Sequence, residues 1–145
     1  MPNLIVILED SDYRYDVMKE VLAREFPDHR VRIFDNAPEM IGWLREGIDA
    51  DPPCLMSLDH DLGPDRVVDG EKLDPGTGRE VVECMASLAP ACPVIVHSSN
   101  GLAVPGMLMA LEEAGWTATR VIPLPGVDWI DQSWIAEVRE RLGVG

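Results

Sequence analysis

Three short stretches of this chain concentrate groups able to do acid, base and metal chemistry: Glu9-Asp10, Asp59-His60-Asp61 and His97-Ser98-Ser99-Asn100. Each closes an apolar run, namely Leu4-Ile5-Val6-Ile7-Leu8, Cys54-Leu55-Met56-Ser57-Leu58 and Pro93-Val94-Ile95-Val96. Runs of this length, bounded by Pro, Gly and acids, read as buried strands. If the strands are parallel, their C-terminal ends share one edge, where open α/β sheets place their ligands. Carboxylates gathered in one crevice raise one another's pKa unless a cation lies between them. Oxygen donors completed by water suit Mg²⁺ or Mn²⁺. Two such strand-end carboxylates plus a hydroxyl form a site for a metal-bridged phosphoryl group.

The elements that must position these groups follow from periodicity. Asp12 to Phe26 carries Tyr13, Val17, Val21 and Leu22 at helical spacing, with Ser11 or Asp12 as N-cap and Pro27 as terminator. His29 to Phe34 alternates Val31 and Ile33 with Arg30 and Arg32, as in a strand with one exposed face at an edge. Asn36-Ala37-Pro38-Glu39 opens a short amphipathic helix ending at Gly47. After Leu58 comes an irregular stretch from Gly63 to Gly78, and loops that long are usually functional or disordered. A third helix starts at Thr77 or Gly78 and stops near Pro90; a fourth spans Pro105 to Ala114. Thr117 to Leu124 reads as a fifth strand and Trp129 to Leu142 as the last helix. Five strands alternating with five helices predict a doubly wound parallel sheet, in one domain over residues 1–145.

Composition narrows the function. A formal net charge of −14 repels phosphate backbones and anionic lipid heads, which argues against a broad nucleic-acid surface or a membrane surface. A bound cation can invert that field locally, so a phosphate-containing small molecule or a nucleic-acid end remains an acceptable partner. Cys54, Cys84 and Cys92 form no CxxC pair and read as reduced packing residues. No apolar run approaches membrane-spanning length, and a cytoplasmic location is expected.

In order and position these motifs resemble the receiver domains of two-component response regulators, over essentially the whole chain. Leu8-Glu9-Asp10-Ser11 is similar to the acidic pair that holds the metal, Leu58-Asp59-His60-Asp61-Leu62 to the segment of the phospho-accepting aspartate, and Val96-His97-Ser98 to the strand whose terminal Ser or Thr binds the phosphoryl group. The resemblance implies a flavodoxin-like fold, Mg²⁺ or Mn²⁺ held by Asp10 and Asp59 with Glu9 directly or through water, a phosphoryl contact from Ser98, phosphorylation at Asp59 and a histidine kinase as partner. With His60, Asp61, Thr77-Gly78 and His97-Ser98-Ser99-Asn100 added, the pattern resembles a variant branch proposed to process cyclic phosphates. That likeness implies hydrolysis of a phosphoester, with His60, Asp61, His97 and Asn100 as candidates for proton transfer or water orientation.

The departures from the receiver pattern point the same way. Receivers carry a lysine before a proline at the end of the fifth strand; in Ile122-Pro123-Leu124-Pro125 the aligned residue is Leu124. Loss of such a charge-assisted contact costs about 1.5–3 kcal/mol. The insertion from Asp65 to Pro75 is expected to overhang the metal site and offers Arg66 or Lys72 as substitute cations.

The same residues have plainer readings. Strand alternation turns His97 away from Ser98, so a core histidine competes with a catalytic one, and His60 meets the same objection relative to Asp59. Asp61 also suits a turn cap, and the acids of the insertion suit a solvated loop. The four tryptophans read as packing, with Trp129 and Trp134 as candidate interface residues, in a homodimer for example. An atypical receiver in a phosphorelay, or an interaction module working through its last strand and helix, is the alternative to an enzyme.

Overall fold

The computed structural model describes residues 1–144. Strands β1 (Leu4–Leu8), β2 (Arg30–Phe34) and β3 (Pro53–Leu58) are interleaved with helices α1 (Asp12–Glu25) and α2 (Ala37–Gly47). A hairpin of β4 (Arg66–Val68) and β5 (Glu71–Leu73) leads to α3 (Gly78–Met85), β6 (Val94–His97), α4 (Val104–Glu113) and β7 (Ala118–Val121). A 3₁₀ turn at Asp128–Asp131 precedes α5 (Ser133–Arg141). The five-stranded sheet runs in the order β2-β1-β3-β6-β7, with every pair parallel. The predicted doubly wound architecture is therefore the observed one.

Local chemistry sets the helix starts. The Ser11 hydroxyl accepts the Arg14 N–H, the Asn36 side chain the Glu39 N–H, and Thr77 Oγ1 the Glu80 N–H. Each cap satisfies a donor the first helical turn leaves open and contributes about 1 kcal/mol.

Strand alternation then divides the core in two. Leu4, Val6, Leu8, Met56, Leu58, Val94 and Val96 face α2, α3 and α4. Ile5, Ile7, Leu55 and Ile95 face α1 and α5, where Met18, Leu22, Trp129, Trp134, Ile135 and Val138 close over them. The central strands are buried on both sides, which is why they read as continuous apolar runs. β2, at the edge, exposes Arg30 and Arg32, as its alternation predicted.

Four details differ from the sequence reading. The irregular insertion contains the β4–β5 hairpin, whose antiparallel register pairs Arg66 with Leu73 and turns through Asp69 and Gly70, both at positive φ. Tyr13, expected on the buried stripe of α1, is 66% exposed, and Met18 takes its place in the core. The last helix is broken, because Gln132 leaves helical geometry between the 3₁₀ turn and α5. Trp129 and Trp134 are 1% and 0% exposed, so as they stand they are core residues and not interface residues.

Candidate functional site

All three chemistry-bearing stretches emerge at the C-terminal edge of the parallel sheet. Glu9 extends β1 on the side of Ile5 and Ile7, Asp59 extends β3 on the side of Leu55 and Ser57, and His97 ends β6 on the side of Ile95. The three side chains therefore meet on the α1/α5 face. One ligand-type atom from each of Glu9, Asp59 and His97 lies within 4.8 Å of the others. All three are buried, Glu9 and His97 completely and Asp59 to 6% exposure.

The buried carboxylates have unequal support. Glu9 Oε2 accepts the Ser11 N–H at 3.1 Å, while Oε1 faces His97 Nε2 at 3.2 Å and Arg14 Nη1 at 3.5 Å. Burial pushes the Glu9 pKa up, but the imidazole, the Ser11 amide and Arg14 outweigh it and hold the group below its ordinary value. Asp59 accepts the His60 N–H at 2.7 Å and stands 3.8 Å from Arg14 Nη1. Burial dominates there, the Glu9 charge adds to it, and the Asp59 carboxyl is pushed up to about 6. Asp10 is raised as well, by burial and then by Glu9. Its carboxylate lies against Gly63, where a Cβ would come within 2.6 Å of Oδ2 at a φ of +77°.

This donor set fits a divalent cation. Two carboxyls pushed toward their neutral forms, beside a fully buried Glu9 Oε1 with no hydrogen bond of good geometry, form an acidic site that Arg14 compensates only in part. Asp10, Asp59 and Glu9 are hard oxygen donors of the kind Mg²⁺ and Mn²⁺ take.

A second polar group lies next along the chain. His60 Nδ1 is 3.0 Å from Asp61 Oδ1, and Asn100 Nδ2 donates to both Asp61 carboxylate oxygens at 3.3 and 3.4 Å. Asn100 is itself held, because its Oδ1 accepts the N–H groups of Leu102 and Ala103 at the approach to α4. The backbone at Asp59–His60 is fixed by α3: Gly78 N–H donates to His60 O at 2.9 Å, and Asp61 bridges Thr77. A Cβ on Gly78 would fall 1.9 Å from Asp59 O, so only glycine fits there.

The predicted residues thus divide into two neighbouring groups, a buried one of Glu9, Asp59 and His97 and a more open one of His60, Asp61 and Asn100. Ser98 is 1% exposed; its hydroxyl accepts the Asn100 N–H at 3.1 Å and its carbonyl accepts from Arg120. Arg66 does not serve as a cation for Asp59. It pairs with Asp35 at 2.8 Å, and Ala37 N–H donates to Pro75 O, so the insertion is tied to the start of α2. Leu124 is exposed, and Arg14 is the cation beside Asp59. Its guanidinium also lies 5.5 Å from the Trp129 ring centre, a cation–π contact that helps hold it in place.

Arg14 was not foreseen; its only signal in the sequence is its position in the first turn of a helix that follows the acidic pair. Ser57, which meets His97 from behind, and Trp134, which donates to Ser57, were missed too. For Ser57 a signal existed: it is the one polar residue in an apolar strand, two positions before Asp59 and hence on the same face.

A five-stranded parallel sheet in the order β2-β1-β3-β6-β7, with acids at the ends of β1 and β3, is the architecture of response-regulator receivers. The phosphorylated cyanobacterial phytochrome response regulator RcpA superposes with a TM-score of 0.74 at 20% identity, over 100% of this chain and 97% of its own. The Mn²⁺-bound form of response regulator Rcp1 gives 0.69 at 19% identity over 96% and 93%. The response regulator domain of Thermotoga maritima CheB gives 0.66 at 16% over 100% and 99%. Within this class, residues 5–113 match the model of the cyclic-phosphate processing receiver domain. The chain belongs to that family. No curated protein matches it significantly.

Proposed function

We propose that the protein hydrolyses a phosphoester, with a cyclic phosphate as the leading candidate, at a divalent metal held by Asp10 and Asp59 with Glu9 directly or through water. The observation that carries this reading is the Asp61 carboxylate, engaged by both His60 and Asn100 two residues after the buried Asp59. With His60 Nδ1–H donating to Asp61, Nε2 is left to accept a proton from an attacking water. Asn100 keeps Asp61 in place, and Ser98 is positioned to contact a phosphoryl oxygen. Opening a cyclic phosphate forms one P–O bond to water and breaks one to the ring oxygen, which takes up the proton His60 removed. A bound Mg²⁺ or Mn²⁺ would supply charge neutralisation for the phosphoryl oxygens. The Mn²⁺ of the Rcp1 structure and the family's description support both metal and substrate class. The net charge of −14 favours a small molecule or a nucleic-acid end over an extended duplex.

The test is a panel of 2′,3′-cyclic nucleotides and generic phosphodiesters with and without Mg²⁺ and Mn²⁺. Metal-dependent turnover that disappears in Asp10→Ala and Asp59→Asn is expected. Silence across the panel overturns the enzyme reading.

A second reading rests on Arg14. Its guanidinium near Asp59 supplies a cation that Leu124 does not, as a phospho-accepting receiver needs. In that case a cytoplasmic histidine kinase is the partner. Acetyl phosphate then adds mass to the wild type and not to Asp59→Asn, and beryllofluoride binds only with Mg²⁺.

A further inference from the structure

Behind His97 runs a line of buried polar contacts that leads away from the acidic edge and into the α5 side of the core. Trp134 Nε1 lies 3.0 Å from Ser57 Oγ, and Ser57 Oγ lies 2.6 Å from His97 Nδ1. His97 Nε2 then faces Glu9 Oε1 at 3.2 Å. Trp134, Ser57, His97 and Glu9 are each fully buried and out of reach of bulk solvent.

The direction of each hydrogen bond follows from the chemistry of its first member. An indole N–H only donates, so Ser57 Oγ accepts from Trp134. Ser57 has one hydrogen of its own, and His97 Nδ1 is its other hydrogen-bond partner among the described residues. If Nδ1 carried a hydrogen and donated to Ser57, the Ser57 hydrogen would be buried without an acceptor, at about 1–3 kcal/mol. A bare Nε2 would in addition set its lone pair against the Glu9 carboxylate. With Ser57 donating to Nδ1, the Trp134 and Ser57 hydrogens both have acceptors, and Nε2–H is turned toward Glu9 Oε1, 3.2 Å away but short of good hydrogen-bond geometry. The ring of Trp129, stacked on that of His97 with centroids 6.2 Å apart, limits its rotation.

We infer that Ser57 and Trp134 are positioning residues that lock His97 as the Nε2–H tautomer, making it a donor that orients Glu9 and not a metal ligand. An Nε2 that carries hydrogen offers no lone pair to a cation. The three-residue cluster of Glu9, Asp59 and His97 is thereby reduced to its carboxylates, with the imidazole as their support from behind. The tautomer is independent of the proposed reaction; the consequence for metal affinity rests on that reading.

Two-bond ¹H–¹⁵N correlation spectra of uniformly labelled protein at neutral pH read the tautomer directly. The chain has three histidines, so His29→Gln and His60→Gln assign the His97 signals by elimination. The expected result is hydrogen on Nε2 and a bare Nδ1, both in metal-free protein and with excess MgCl₂. A hydrogen on Nδ1, or loss of the Nε2 hydrogen on adding Mg²⁺, overturns the inference. Ser57→Ala is expected to move the Nδ1 resonance and to weaken Mg²⁺ binding about tenfold, as removal of a supporting group does, with Ser57→Thr restoring both. Should Ser57→Ala fail to fold, Trp134→Phe removes the donor to Ser57 while keeping a smaller aromatic ring in the core, and the same changes are expected in smaller measure. A folded variant of either kind with resonance and affinity both unmoved overturns the positioning role. Absence of Mg²⁺ binding in the wild type would instead count against the proposed metal site, leaving the tautomer to stand or fall on the spectra.

Discussion

Arg14 Nη1 lies 3.8 Å from Asp59 Oδ2, a guanidinium set beside the carboxylate that the fold buries at the end of β3. The guanidinium lowers the cost of charging Asp59, but it also competes with any metal for the same oxygens. Arg14→Gln should therefore raise the Asp59 pKa further above about 6 in metal-free protein and tighten Mg²⁺ binding several-fold. Carboxyl ¹³C titration and calorimetry measure the two effects. An unmoved Asp59 titration would show that the two side chains do not meet in solution.

Asp59 itself predicts a pH dependence of stability in the metal-free protein. Its folded pKa is raised, mainly by burial, so the native state binds the proton more tightly than the unfolded chain does. Stability therefore falls as pH rises from about 4 to about 6, by at most about 3 kcal/mol. Asp59→Asn removes this penalty and should raise Tm at pH 7, with the gain fading below about pH 4. Mg²⁺ should raise Tm in the wild type and not in Asp59→Asn. A variant whose Tm gain is independent of pH would contradict the burial argument.

Gly78 sets how closely α3 approaches the Asp59–His60 peptide. The 1.9 Å between its missing Cβ and Asp59 O leaves no room for a methyl group beside backbone, which does not yield as a side chain would. Gly78→Ala should cost at least about 2–3 kcal/mol in urea unfolding and displace Asp59 and His60 together. Normal stability with an unshifted Asp59 titration would mean that this contact is looser than described.

Cys54 and Cys92, half-buried against the core, give a probe of its packing. Burial, and then the neighbouring Cys54, push the Cys92 thiol up to about 12, and burial raises Cys54 as well. Both should react slowly with Ellman's reagent at pH 8 and rapidly once urea unfolds the chain. Rapid labelling of Cys92 in native protein, read by mass after digestion, would contradict its placement.

The β4–β5 hairpin should come loose without unfolding the sheet. Arg66 and Asp35 are each more than a third exposed, so their pair contributes no more than about 1 kcal/mol. Burial raises the Asp35 carboxyl, but Arg66 and Asn36 outweigh it and hold it below its ordinary value, so the tether weakens as pH falls through the acid range. Arg66→Ala should speed hydrogen exchange at residues 66–73 and leave β1 and β3 unchanged.

Much of this was written in local pattern. Leu4–Leu8 and Val94–Val96 are apolar without interruption, and Cys54–Leu58 is broken only by Ser57, because both faces of a central parallel strand are covered, while β2 alternates because it lies at an edge. The caps at Ser11, Asn36 and Thr77 depend on neighbours three residues away, so they too were legible. The gathering of Glu9, Asp59 and Ser98 at one edge followed from strand direction alone. What the sequence could not carry were contacts between residues far apart in it that share no repeat. Arg14 reaches Asp59, Arg66 turns to Asp35, and Trp134 reaches Ser57 only because the sheet order and the packing of α1 and α5 bring them together. The direction of His97 lay between the two cases. Alternation turned it away from Ser98, but whether that side held an unreactive core or the back of the acidic site was decided by Glu9 and Asp59 extending their strands on the same face, since only the three-dimensional stacking of β1, β3 and β6 superimposes their ends.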